Sequence, residues 1–193
     1  WKPIFDSQPT GSIGCLAVAP SDPETIYVGS GEGLQRPDLS VGDGIYKSTD
    51  AGATWTQLKG NGFPAKVGRI GISVSPADHN RIYTCVDGLD PKEGGVYRSD
   101  DGGANWTHVG KDPRIWGRGW YFMGITADPK DSDKVYVMNT SAYRSTDGGK
   151  NWALLNTNTT SSLYCVAYAP NDAKYIAAAG SNNTLIVSTD AGA

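Results

Sequence analysis

Ser48-Thr49-Asp50-Ala51-Gly52-Ala53-Thr54-Trp55 decides the fold, because it comes back. It returns as Ser99-Asp100-Asp101-Gly102-Gly103-Ala104-Asn105-Trp106 and as Ser145-Thr146-Asp147-Gly148-Gly149-Lys150-Asn151-Trp152. A fourth copy stands at Ser188-Thr189-Asp190-Ala191-Gly192-Ala193. The opening serines lie 51, 46 and 43 residues apart, within the period of roughly 40–50 residues typical of propeller blades. The stretch has the chemistry of a hairpin. Ser and Asp side chains bond backbone amides inside a turn, Gly takes the positive φ that other residues resist, and the closing Trp packs beneath the turn. Asp50, Trp55, Asp101, Trp106, Asp147, Trp152 and Asp190 are therefore read as structural residues.

Two further motifs travel with this box. Ala19-Pro20-Ser21-Asp22 leads to Ile26-Tyr27-Val28, Ser75-Pro76-Ala77-Asp78 to Ile82-Tyr83-Thr84, Asp128-Pro129-Lys130-Asp131 to Val135-Tyr136-Val137, and Ala169-Pro170-Asn171-Asp172 to Tyr175-Ile176-Ala177. Just before each box stand Gly44-Ile45-Tyr46-Lys47, Gly95-Val96-Tyr97-Arg98, Ala142-Tyr143-Arg144 and Leu185-Ile186-Val187. In the first repeat these predict a strand over Ile13–Ala19, stopped by Pro20, and others over about Thr25–Ser30, Gly44–Ser48 and Trp55–Leu58. No window carries a helical apolar period. Four strands per repeat select an all-β propeller of four-stranded antiparallel blades, with the boxes as hairpins. The repeat units run over about 1–55, 56–106, 107–152 and 153–193, as a single propeller segment over 1–193.

The 193 residues carry 25 Gly, 11 Pro, 6 Trp and 10 Tyr and a formal charge of −3. Such a mixed, mildly acidic chain lacks the concentrated basic surface that nucleic acid requires, and no apolar run approaches a membrane span. Cys15, Cys85 and Cys165 sit in strand-like contexts and read as buried free thiols. No metal site is expected. The boxes lack the calcium-loop ligand pattern, and His79 and His108 are isolated from each other. No cofactor motif is present, since the glycines belong to hairpins and not to strand-to-helix turns.

These residues resemble the BNR/Asp-box superfamily, and the resemblance covers essentially the whole chain. That superfamily includes sialidases, xyloglucanase-type glycoside hydrolases and sortilin-type receptor propellers. More narrowly, Trp1-Lys2-Pro3-Ile4-Phe5-Asp6, Gly42-Asp43-Gly44-Ile45-Tyr46-Lys47 and Trp120-Tyr121-Phe122 are similar to bacterial secreted proteins labelled sortilin-like or glycosyl hydrolase BNR repeat. The resemblance implies the fold and a secreted, periplasmic or cell-surface location. The sialidase arginine triad and Tyr–Glu pair have no counterpart here, and the likeness to xyloglucanases stops at the repeat. Because domain ends rarely fall inside a tight hairpin, the chain reads as part of a larger propeller with further blades. The alternative is a closed ring of four, with Trp1–Asp6 completing the last blade.

Propeller topology then sorts the loops. Strand two-to-three loops and interblade connectors share one face, and that face carries the variable length that marks a binding surface. The loop Ser30–Asp43 holds Glu32, Arg36, Asp38 and Asp43; the loop Asp87–Gly94 holds Asp87, Asp90, Lys92 and Glu93. The connector Gly110–Gly119 leads through Arg114, Trp116 and Arg118 into Trp120 and Tyr121. Arginines beside aromatics suit a sugar ring or an acidic or peptide ligand, while the same tryptophans also suit the space between blades. Glu32, Asp87 and Glu93 are the candidate catalytic carboxylates, since glycoside hydrolysis needs an acid and a base or nucleophile. The expected function is an extracytoplasmic propeller binding a carbohydrate or extended peptide on its loop face. The alternatives are a glycoside hydrolase acting on a polysaccharide and a structural segment of a larger surface assembly.

Overall fold

Alternating β-rich runs, Pro-Asp corners and boxes fold into four successive antiparallel sheets in the computed structural model, which describes residues 1–32, 40–119, 123–169 and 172–192. Blade 1 comprises β1 (Ile13–Ala19), β2 (Asp22–Ser30), β3 (Ile45–Ser48) and β4 (Thr56–Leu58). Blade 2 comprises β5 (Val67–Val74), β6 (Ile82–Gly88), β7 (Gly95–Ser99) and β8 (Thr107–Gly110). A one-turn helix, α1 (Pro113–Trp116), precedes blade 3, which holds β9 (Gly124–Ala127), β10 (Val135–Met138), β11 (Ala142–Ser145) and β12 (Ala153–Leu154). Blade 4 holds β13 (Leu163–Ala169), β14 (Asp172–Gly180) and β15 (Leu185–Ser188). Within each sheet the strands lie in sequence order. The first strand falls where the sequence places it. The second begins earlier than expected, because Asp22 already pairs with Ala19 across the corner. The helix went unanticipated, since one turn has no periodicity; Asp112 caps it and Pro113 opens it.

The boxes form as their residue types dictate. Ser48 Oγ donates to Asp50 Oδ1 at 2.8 Å and accepts the Gly52 N–H at 2.8 Å. Asp50 in turn accepts the Thr54 N–H at 2.8 Å. Ser99 with Asp101 and Gly103 repeats this geometry, as does Ser145 with Asp147 and Gly149. Box 4 retains the serine part, with Ser188 Oγ bonded to Asp190 Oδ1 at 2.6 Å and to the Gly192 N–H at 2.7 Å. Two successive residues turn into positive φ in each box, Gly102 and Gly103 at 68° and 94° for instance, and Ala51 accepts 54° in the first. Each box is also tied to its own blade's first corner, as when Gly102 N–H reaches Asn80 O at 2.9 Å. Boxes and corners therefore share one face, and the longer loops lie on the other.

Successive inner strands pack on one another, β1 on β5, β5 on β9 and β9 on β13. Three apolar cores fill the seams, with Trp106 in the first and Trp152 in the second. Polar contacts cross each seam at the rim. Tyr27 Oη and Lys47 Nζ, cross-strand partners in blade 1, both donate to Gly102 O of box 2, at 3.1 and 3.0 Å. In blade 2, Tyr83 donates to Ser132 O at 2.6 Å and Arg98 to Gly148 O at 3.4 Å. In blade 3, Tyr136 donates to Ala191 O at 2.8 Å and Arg144 to Gly192 O at 3.0 Å. The paired positions in blade 4 are Ala177 and Val187, which carry no donor.

The four blades form an open arc. Leu16 and Val18 on blade 1, and Tyr175, Leu185 and Val187 on blade 4, are exposed. Trp1–Asp6 packs on blade 1, with the Trp55 indole N–H on Ile4 O at 2.7 Å and Phe5 edge-on to Trp55 at 4.9 Å. It does not complete blade 4 as in the ring alternative. The thiols need one correction: Cys85 is buried and Cys15 partly so, but Cys165 is exposed. Cys15 is covered by β5, reaching Ile72 O at 3.8 Å, whereas Cys165 faces the uncovered side of blade 4.

Two measurements check this account. The Thr54 hydroxyl, then its N–H and Ser48, hold Asp50 down at about 2. The Asn105 side chain leads the same effect at Asp101, and at Asp147 burial pushes upward but is outweighed by Asn151, Ser145 and Lys150, with both again at about 2. Depressed carboxylates stabilise the fold above the unfolded value of about 3.9. That contribution should fade as pH falls toward 2, and acid titration of the melting temperature of Asp101→Asn should show a shallower decline than the parent. Trp106 is 6% exposed in its seam, so Trp106→Ala should cost about 3–5 kcal/mol in denaturant unfolding. Trp55→Ala, at a partly exposed site, should cost clearly less.

Candidate functional site

On the loop face the inner strand of blade 2 departs from regular pairing. Val67 pairs with Gly88 and Ile70 with Val86, so Gly68 and Arg69 together oppose Asp87. Such a β-bulge bends the strand and re-aims its side chains. Blade 1 is brought hard against it, with Gly42 N–H bonded to Val67 O at 2.8 Å. A Cβ on Gly31 or Gly42 would run into the Gly68 carbonyl, and Gly31 has φ 99°. Only glycine permits this approach.

Asp87 stands out among the carboxylates. A Cβ on Gly119 would lie 2.6 Å from Asp87 Cβ, and one on Gly68 would lie 3.0 Å from Asp87 Oδ2. The carboxylate is thus walled by two glycines, one from the bulge and one from the connector into blade 3. It makes no hydrogen bond or ion pair with any described residue, and burial raises its pKa above the ordinary range. A desolvated acid without a partner is the type of group that sites use for proton transfer or ligand bonding.

Two other carboxylates have local duties. Glu32 Oε2 accepts the Ser40 N–H at 2.9 Å and so closes the base of its loop. The loop tip, with Arg36 and Asp38, lies outside the described residues. Asp43 accepts the Tyr46 hydroxyl at 2.6 Å. Glu93 is partly exposed and its backbone carbonyl takes the Tyr97 hydroxyl at 2.8 Å. Tyr97 stacks on His108, centroids 4.2 Å apart, and burial draws the His108 pKa down.

The connector divides its residues. Arg114 forks onto Asp112, with contacts down to 2.5 Å, and lies over the Tyr143 ring at 5.6 Å. Trp116 turns inward, its ring against Gly94, where a Cβ would approach to 2.5 Å. Its indole N–H is buried without a partner, and beside it Ile115 O accepts the Asn139 side-chain amide at 3.2 Å. Arg118 is exposed next to Gly119. Trp120 and Tyr121 lie outside the described residues. The structure therefore gathers Asp87, Gly119 with its neighbour Arg118, and Trp116 along the junction of blades 2 and 3. Glu32 approaches from blade 1 through Gly31, while Arg114 points away toward Asp112. Sequence reasoning missed Arg69. Its signal was a lone cation in Val-Gly-Arg-Ile-Gly-Ile-Ser-Val, an otherwise uncharged inner strand.

A cavity of about 300 Å³ lies in the seam between blades 3 and 4, lined by Tyr136, Met138, Leu163, Val166, Ile176 and Ala178 among others. These walls are the apolar faces that in the other seams pack around Trp106 and Trp152, and none of the candidate residues reaches it. Among the described residues no group of three His, Cys, Asp or Glu could hold a metal ion, and no helix is long and apolar enough to cross a membrane.

Residues 43–160 match the family model Sortilin-Vps10, described as sortilin, neurotensin receptor 3. The probable oligoxyloglucan-reducing end-specific xyloglucanase of Neosartorya fischeri is 29% identical over 102 residues, covering 51% of this chain and 12% of that protein. The oligoxyloglucan-reducing end-specific xyloglucanase of Emericella nidulans is 31% identical over 104 residues, with the same 51% and 12% coverage. The match thus spans only 12% of either relative's length. Among solved structures, an ancestral GH74 enzyme superposes on 100% of this chain and 24% of its own, with TM-score 0.63 at 18% identity. YCF48 from Cyanidioschyzon merolae does so over 93% of this chain and 54% of its own, with TM-score 0.59 at 19% identity. At these identities the likeness is one of fold.

The burial of Asp87 has a measurable cost. A folded carboxyl with a raised pKa stabilises most fully below the unfolded value, and the contribution is lost as pH rises through the folded one. Asp87→Asn should therefore raise the melting temperature at neutral pH, by about 2–4 °C for a change near 1 kcal/mol. The difference should vanish in acid. A lower melting temperature for the variant at pH 7 would show that the carboxylate has a partner.

Proposed function

The chain belongs to the Sortilin-Vps10 family, and from that premise we propose that it works as an extracytoplasmic binding propeller. It holds a carbohydrate chain on the loop face where blades 1, 2 and 3 meet. The observation that carries this reading is Asp87, a half-buried carboxylate with no partner among the described residues, set between Gly68 and Gly119. A carboxylate that no described side chain engages is an acceptor for hydroxyl groups, and the glycines on either side leave room for the Asp87 side chain itself at the junction of the blades. Trp116, its ring turned inward, and the exposed Arg118 stand at the same junction of blades 2 and 3. The relatives named as xyloglucanases favour a sugar ligand over an extended peptide. Membership of a family described as sortilin, neurotensin receptor 3, favours an extracytoplasmic setting.

A second reading is hydrolysis. Asp87, with its pKa raised by burial, has the property required of a general acid. Glu32 or Glu93 would then supply the base or nucleophile, at a separation of roughly 5–9 Å. Binding is preferred because Glu32 is occupied with Ser40 and closes its own loop.

Calorimetric titration of the protein with xyloglucan and cello-oligosaccharides, alongside reducing-end release from the same substrates, decides between the readings. Binding without product, weakened about tenfold in Asp87→Asn, is the expected result. Affinity should also fall as pH drops through the raised pKa of Asp87, because the ionised form is the hydroxyl acceptor. Product release abolished in Asp87→Asn would establish the hydrolase instead. Neither binding nor release would leave the propeller a structural segment.

A further inference from the structure

Arg69 differs from the other half-buried arginines among the described residues. It sits on the innermost strand of blade 2, at the bulge opposite Asp87, partly buried. Its Nε is out of solvent without a hydrogen bond, and no ion pair or hydrogen bond joins its guanidinium to any described residue. The other buried-stem arginines are all engaged. Arg81 pairs with Asp100 and Asp133, Arg98 with Asp100 and Gly148 O, and Arg144 with the carbonyls of Ala191 and Gly192. A half-buried cation that no described carboxylate pairs with is costly in the free protein. The surrounding chain nonetheless closes on it, since a Cβ on Gly31 would lie 2.7 Å from Arg69 Cα.

The nearby acids among the described residues do not answer it. Glu32, beside Gly31, is spent on the Ser40 amide. Asp87 is on the facing strand, yet the two side chains form no ion pair. The groups whose charge would act on Arg69 are the thiols of Cys15 and Cys85. Cys85, pushed up to about 12 by burial and then by Asp87, is uncharged at neutral pH. Arginine's planar fork matches a carboxylate in two parallel hydrogen bonds.

We propose that Arg69 is the anion-reading residue of the loop face, and that the carbohydrate held there is an acidic one whose uronic-acid carboxylate docks on this guanidinium. The proposal rests on the carbohydrate reading of that face and narrows its ligand class. Sugar hydroxyls meet Asp87 on one side of the bulge, and the sugar carboxylate meets Arg69 on the other.

Calorimetric titrations with an oligogalacturonate, its methyl-esterified form and a neutral cello-oligosaccharide test this, using the parent, Arg69→Gln and Arg69→Lys at low and high salt. The free-acid form should bind the parent at least about tenfold more tightly than the ester. That preference should shrink with salt, disappear in Arg69→Gln and survive in part in Arg69→Lys. Equal affinity for acid, ester and neutral chains would overturn the acidic-ligand proposal while leaving the carbohydrate reading intact, as would a preference that Arg69→Gln leaves unchanged. Failure to bind any of the three would overturn both. A peptide with a free C-terminal carboxylate that binds through Arg69 when the sugars do not would replace the sugar as ligand class. Should Arg69→Gln not fold, the acid-against-ester comparison on the parent still decides.

Discussion

The hydroxyl of the box serine is the point from which this structure is organised. It donates to the aspartate two residues on and accepts the glycine amide four residues on, in all four boxes. One small side chain thereby fixes a hairpin in which two consecutive residues have positive φ. The turn so held presents its glycine carbonyl outward, toward the preceding blade. There a tyrosine and a cation from that blade receive it or its neighbouring corner, in three seams. A local rule of hydrogen bonding thus sets the relative placement of whole sheets, which apolar burial alone, being non-directional, would leave loosely determined.

That placement puts the loop face where it is. With the rim fixed by boxes, the other ends of the strands converge, and glycines at 31, 42, 68, 94 and 119 let backbone and ring pass at distances no side chain would tolerate. The result is a surface where polar groups remain unspent. Asp87 and Arg69 lie across one bulge without pairing, while Arg81, Arg98 and Arg144 and the box aspartates are matched to amides, carbonyls or carboxylates. Unspent polar groups in a half-buried setting are uncommon in proteins that use them only for stability.

Much of the fold was legible in the sequence because its determinants are local. Ser, Asp, Gly and Trp at fixed spacing state a hairpin whatever surrounds them, and β1 begins and ends where Ile13 and Pro20 say it should. The site was less legible because its determinants are relational. Nothing in Gly-Arg-Ile says that the arginine lacks a partner; that depends on where Glu32 and Asp87 turn. Trp116 and Arg114, alike as loop residues on paper, part company because α1 sends one ring inward against Gly94 and leaves the other side chain with its own N-cap aspartate. Cys165 looked like Cys15 in sequence and differs in exposure because a neighbouring blade covers one and not the other. The tyrosine–cation contacts across the seams were present in the repeat motifs, but their meaning appears only once two blades are set side by side.

The contacts from one blade's tyrosine and cation to the next blade's box also decide what the unit of cooperativity is. A sheet whose hairpin is held partly by its predecessor cannot melt alone; opening one blade releases the carbonyl that its neighbour was latching. Such nearest-neighbour coupling makes the protein behave as a one-dimensional chain of interfaces, with stability added per seam more than per sheet. Amide exchange would then be slowest in β6 and β10, which lie between two latched seams, and fastest in β14, where Ala177 and Val187 pass nothing onward.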